Sequence, residues 1–135
     1  MMKLYSLLFL ILMSACAPNR LVDKTGVEEI SFGHGGGFTG EVKSYKLTSK
    51  GKLFEKGTEI NKIDSKTTLK LFKQAKELIN IDYNKPGNMY SFLEIKTEDK
   101  TNRIVWADAS TAVDKRVVEL YNELLTNTKQ TQNVK

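Results

Sequence analysis

Few side chains in this chain could do covalent or acid–base chemistry. Its 135 residues hold one cysteine, Cys16, and one histidine, His34. A lone thiol cannot close a disulfide within the chain and needs another explanation, such as modification. A lone imidazole cannot build a His-rich metal site. The run His34-Gly35-Gly36-Gly37 sets consecutive backbone amides where an oxyanion could be held. That chemistry also needs a serine on a G-x-S-x-G turn and a second histidine as base, and the sequence has neither. Gly35-Gly36-Gly37-Phe38-Thr39-Gly40 spells G-x-G-x-x-G. A dinucleotide site requires a helix to open after those glycines. Here β-like alternation follows, at Val42, Tyr45 and Leu47. Glu94, Asp99 and Asp108 have no spacing that pairs two carboxylates in one pocket for acid–base work. A non-catalytic protein without metal or cofactor is expected, and an enzyme of unreadable type is an alternative.

The glycine segment invites a different reading. Glycines reach positive φ freely and permit a sharp turn or bulge between two strands. Backbone without side chains also lets a partner approach closely. His34, Gly35, Gly36, Gly37, Phe38, Thr39 and Gly40 are therefore the candidate binding surface, with His34 expected as an exposed turn residue.

The flanking elements that must hold this segment follow from periodicity. A short strand is expected over 28–32, running into the glycines. Alternation over 41–48, the turn Ser49-Lys50-Gly51 and a return strand over 52–56 predict a hairpin. Residues 57–64 connect it onward and could extend the sheet. Ser65 is the expected cap of a helix reaching about Asn80, whose apolar arc is Leu71, Phe72, Ala75, Leu78 and Ile79. Pro86-Gly87 marks a loop over 82–88. A second hairpin is expected from strands over 89–97 and 101–107, with Trp106 in the core. A final helix is expected to start at Ser110 or Thr111 and reach about Asn127. Its apolar stripe is Val113, Val117, Val118, Leu120, Tyr121, Leu124 and Leu125. The order β-ββ-α-ββ-α predicts one small α+β domain over 28–127. It would have an antiparallel sheet of about 4–5 strands with two helices on one face.

The N-terminus explains the thiol. Lys3 precedes an apolar run over 4–13, and Ser14-Ala15-Cys16 follows. A basic start, a short apolar stretch and small residues form a secretory signal, and the run is too short to span a bilayer. Met13-Ser14-Ala15-Cys16 resembles the lipobox of bacterial lipoproteins. The resemblance implies cleavage of 1–15 and acylation of Cys16 by several chains, palmitate among them. It also implies a lipid-anchored protein of the bacterial cell envelope. Ala17 after the cysteine implies the outer membrane over the inner. Residues 16–27 are expected to form a polar tether, and 128–135 a loose tail.

About 120 residues remain after such cleavage, enough for one core without disulfides. The formal net charge is +5 at pH 7, but the charges are interspersed. No basic stripe with interleaved aromatics appears, so no nucleic-acid partner is expected. Lys66, Lys70, Lys73 and Lys76 recur at helical spacing, which reads as a solvated helix face. Attraction to anionic headgroups is a secondary use of such a face.

Phe32 through Gly40, centred on Gly36-Gly37-Phe38-Thr39-Gly40, resembles the opening of the emfourin family, small inhibitors of thermolysin-type metallopeptidases. The similarity extends loosely over 30–125, through a helix after the first hairpin, an aromatic strand pair and an apolar terminal helix. It implies a small α+β fold and a secreted metallopeptidase as partner. The chain is also similar to small uncharacterised envelope lipoproteins with a glycine opening, for which the resemblance implies no activity. The expected function is a membrane-anchored protein- or peptide-binding module, inhibitor-like in its sharpest form. The alternative is a structural or small-ligand-binding envelope lipoprotein.

Overall fold

The computed structural model describes residues 20–129. The signal peptide expected over 1–15 and the expected acylation site Cys16 lie outside the described residues. Of the loose tail expected over 128–135, Thr128 and Lys129 instead complete the last helix, and 130–135 lie outside the described residues. The elements are α1 (Arg20–Asp23), β1 (Val27–Gly36), β2 (Lys43–Thr48), β3 (Lys52–Glu55), β4 (Thr58–Lys62), α2 (Ser65–Leu78), β5 (Asn84–Lys85), β6 (Met89–Thr97), β7 (Thr101–Ala107) and α3 (Lys115–Lys129). This is a small α+β domain. Its sheet has seven strands in the order β4-β3-β2-β1-β6-β7-β5. All pairings are antiparallel except the short parallel contact of β5 with β7, so the sheet is mixed.

Alternation along each strand selects the core face. Ile30 and Phe32 of β1 lie opposite Leu47 and Tyr45 of β2 and opposite Ile95 and Leu93 of β6. Ile104 and Trp106 continue this face on β7. All are buried, together with Leu71, Phe72, Ala75 and Leu78 of α2 and Val117, Leu120, Tyr121 and Leu124 of α3. Each fully buried aliphatic or aromatic side chain is worth roughly 1.5–3 kcal/mol. Tyr121 sits edge-on to both Phe32 and Trp106, at 6.5 Å and 5.2 Å between ring centroids. Trp106 is thus a core residue under the helices. The second hairpin and the apolar stripes of both long helices lie where their periodicity put them.

The strand count and order differ from expectation. β1 does not stop at residue 32; it continues through the first glycines to Gly36, paired with β2 on one side and β6 on the other. Its ladder supplies the hydrogen bonds that glycine's weak strand propensity does not favour locally. Residues 58–62 form β4 and the loop over 82–88 contains β5, which raises the expected 4–5 strands to seven.

The helix starts also move. Asp64, not Ser65, caps α2: its Oδ1 accepts from the Thr67 amide at 2.9 Å and its Oδ2 from the Thr67 hydroxyl at 2.7 Å. α3 begins at Lys115. Ser110 Oγ accepts from the Ala112 amide at 3.2 Å and Asp114 Oδ1 from the Arg116 amide at 2.9 Å. The Ser110 bond holds 110–112 in a non-helical turn, and Asp114, accepting from the second helical amide, is the N-cap of α3.

The expected tether over 16–27 is, from Arg20 on, part of the folded body. α1 buries Val22 completely, and Thr25 Oγ1 donates to the Val22 carbonyl at 2.7 Å.

The register defines two ends. Val27, the turn at 49–51 and the turn at 98–100 share one end, here the base. The turns at 37–40 and 56–57 and residue Asn88 share the other, the tip. β1 runs between them over about 30 Å, at ~3.3 Å per residue.

Candidate functional site

The tip is built on backbone that only glycine accepts. Gly36 lies opposite Met89 at the end of the β1–β6 ladder, with φ at 93°. A Cβ there would run into the Asn88 carbonyl. The Gly37 amide donates to that same carbonyl at 2.9 Å. Gly40 donates back to the Gly37 carbonyl at 3.3 Å, closing the turn at 37–40 with both glycines at positive φ. Thr39 Oγ1 accepts weakly from the Glu41 amide at 3.4 Å.

Phe38 stands at the apex of this turn, fully exposed. An aromatic ring buries 150–250 Å² when covered, so its place in water at the tip is unusual. Val42 and Met89 are also nearly half exposed, at 45% and 46%. Met89 is close enough that a Cβ on Gly37 would lie 2.9 Å from its sulfur. Val42 in turn is close to Gly35 and the Tyr90 hydroxyl. Of the four large apolar side chains exposed among the described residues, three therefore gather at the tip.

A groove of about 480 Å³ continues from Val42 over the sheet face that α2 and α3 do not cover. Ser31, Ser44, Tyr45, Lys46, Phe54 and Lys56 line it. Its lining residues include two aromatics, three hydroxyl-bearing side chains and two lysines, and no carboxylate.

On the helix-bearing face the tip carries a second, polar group of residues. Ser91 and Lys43 flank His34 on the adjacent strands. Ser91 Oγ donates to Asp108 Oδ1 at 2.8 Å. The Tyr121 hydroxyl also bonds Ser91, and burial pushes the Tyr121 phenol above its usual range. The bond to the Tyr45 hydroxyl, with Glu55 at 3.7 Å, raises the Lys43 ammonium. His34 makes no side-chain hydrogen bond among the described residues. The serine hydroxyl is thus engaged by a carboxylate, and the serine–imidazole bond that activates a nucleophile is not formed. Among the described residues no group of three or more His, Cys, Asp or Glu could hold a metal ion.

Of the sequence-selected residues, Gly37, Phe38, Thr39 and Gly40 form the tip turn. His34, Gly35 and Gly36 belong to the central strand instead. His34 is half-buried between Ser91 and Lys43, which corrects its reading as an exposed turn residue. Gly33 and Gly35 serve close packing: Cβ atoms there would meet the Lys43 carbonyl and the Tyr90 hydroxyl. Sequence reasoning missed Val42 and Met89 as surface residues. Each continues a strand-like alternation, and only the register shows that they stand at strand ends beside the turn.

No family model matches the chain, and no curated protein matches it. No helix among the described residues is long and apolar enough to cross a membrane.

Proposed function

We propose that this chain is a bacterial envelope lipoprotein, acylated at Cys16, whose domain is a non-catalytic module for binding a protein or peptide. The observation that supports it is the solvent-exposed Phe38 ring on a glycine-framed turn, with Val42 and Met89 beside it. Exposed aromatics on preorganised backbone are the usual anchors of interfaces, since little conformational freedom is lost when they are covered. The groove leading away from Val42 gives a bound segment room to continue across the sheet.

The sharpest form of this reading is an inhibitor of a thermolysin-type metallopeptidase with Phe38 at the point of contact. Titration of such a peptidase with the lipid-free domain tests it. Stoichiometric slowing that Phe38→Ala weakens at least tenfold supports inhibition. Unchanged peptidase activity at excess domain removes the inhibitor form. The broader module reading fails if Phe38→Ala, Val42→Ser and Met89→Ser together leave every interaction of the anchored protein in its native envelope unchanged.

A further inference from the structure

The fourth exposed apolar side chain, Leu21, stands apart from the other three. It is 56% exposed and lies on α1, whose neighbour Val22 is fully buried. α1 packs against α2 and the start of β1, at the base. Arg20, where the folded body begins, is four residues after Cys16. Four residues span at most about 14 Å when fully extended. An acyl group on Cys16 is therefore held within a short reach of the base, while the tip is about 30 Å away along β1.

α2 crosses the base from side to side. Its first turn meets the turn at 49–51, where a Cβ on Gly51 would lie 2.9 Å from Thr68 Oγ1. Beyond its other end, Lys100 Nζ donates to Asn80 Oδ1 at 2.7 Å. α3 packs on the tip side of α2: Tyr121 covers Trp106, and Lys70 and Gln74 reach Glu123 at 3.2 Å and 3.4 Å. Lys66, Lys73 and Lys76 remain exposed on α2 and make no ion pair among the described residues. Lys24 follows α1, also exposed. Asp23, Glu28, Glu98 and Asp99 share this end, so its net charge is modest.

We infer that the base is a lipid-docking face, with Leu21 entering the interface and Lys24, Lys66, Lys73 and Lys76 meeting headgroup phosphates. This rests on the acylated reading of Cys16 given above. The acyl chains supply the affinity. The apolar residue and the lysines choose which face lies down, because lysine stems can lie along the interface with their ammonium groups at the phosphates. The tip, with Phe38, is then presented away from the leaflet.

The test uses the acylated mature protein, starting at Cys16, in vesicles of phosphatidylcholine and phosphatidylglycerol. A fluorophore is placed at Lys73→Cys or Thr39→Cys, and the vesicles carry headgroup-labelled quenching lipids. Severalfold stronger quenching at position 73 than at position 39 is expected. Equal quenching, or stronger quenching at 39, overturns the docking face. Leu21→Ser combined with Lys66→Glu and Lys76→Glu should bring the two positions together while the protein still sediments with the vesicles. An unchanged contrast in that variant, with its melting curve intact, also overturns the inference. Mass spectrometry of the N-terminal peptide separates the two readings. An unmodified thiol at Cys16 overturns the anchor and this inference together, whereas an acylated Cys16 with no quenching contrast overturns only the docking face.

Discussion

Gly36 faces Met89 across the central ladder with φ at 93°, and a Cβ added to it would collide with the Asn88 carbonyl. Gly57 has a similar φ, 79°, but open space around it. The pair separates backbone strain from collision. A left-handed conformation costs an L-residue roughly 1–2 kcal/mol. Gly57→Ala should therefore destabilise the domain by about that amount. Gly36→Ala, which adds the collision, should cost at least ~1 kcal/mol more. Urea unfolding with both variants checks the difference, and equal losses would show that the tip backbone shifts freely.

Phe38 contacts little of its own domain. Phe38→Ser should leave stability within about 0.5 kcal/mol of the parent, while weakening a tip-mediated complex by ~2 kcal/mol or more, about thirtyfold. Calorimetric melting and binding titration on the same preparation read both numbers. A large drop in melting temperature would mean that Phe38 has a structural role that its exposure does not reveal.

Asp64 is the cap of α2, and the bonds it accepts from Thr67 hold its carboxyl below the ordinary value of 3.8. A depressed folded value means that the stabilisation is present above the unfolded value. It is lost as pH falls through the folded one. Asp64→Ala should lower the melting temperature at pH 6, and the gap from the parent should close as pH drops below about 3.8. A gap that persists unchanged at pH 2 would place the effect elsewhere in the helix.

Asp108 Oδ1 accepts a hydrogen bond from the buried Ser91 hydroxyl at 2.8 Å. Asp108→Ala should cost about 1 kcal/mol, whereas Asp108→Asn, which keeps an acceptor, should cost less than half of that. Negligible losses for both substitutions in denaturant unfolding would show that Ser91 is satisfied without Asp108.

Much of the domain was legible because its signals are local. The strands over 89–97 and 101–107 have β-branched and aromatic alternation around a polar turn, and they form as read. Leu71, Phe72, Ala75 and Leu78 recur at helical spacing and all end up buried. The glycine segment was legible as unusual but not as strand. Whether Gly33 to Gly36 pair depends on residues 43–44 and 89–92, and the latter are more than fifty positions away. No local propensity carries that information.

Residue types and spacing alone determined that a small α+β domain follows an apolar N-terminal run and a lone cysteine. They also fixed that the chain has one histidine and one cysteine, too few for a His- or Cys-rich metal cluster. These properties depend on neighbours within a few residues or on simple counts. Only the tertiary structure decided that Phe38, Val42 and Met89 meet at one end and Leu21 lies at the other. It also decided that His34 sits inside the sheet instead of on a turn. A one-residue change of register moves every side chain of a strand to the opposite face, so exposure at the strand ends is a property of the assembled ladder. It cannot be read from any segment by itself.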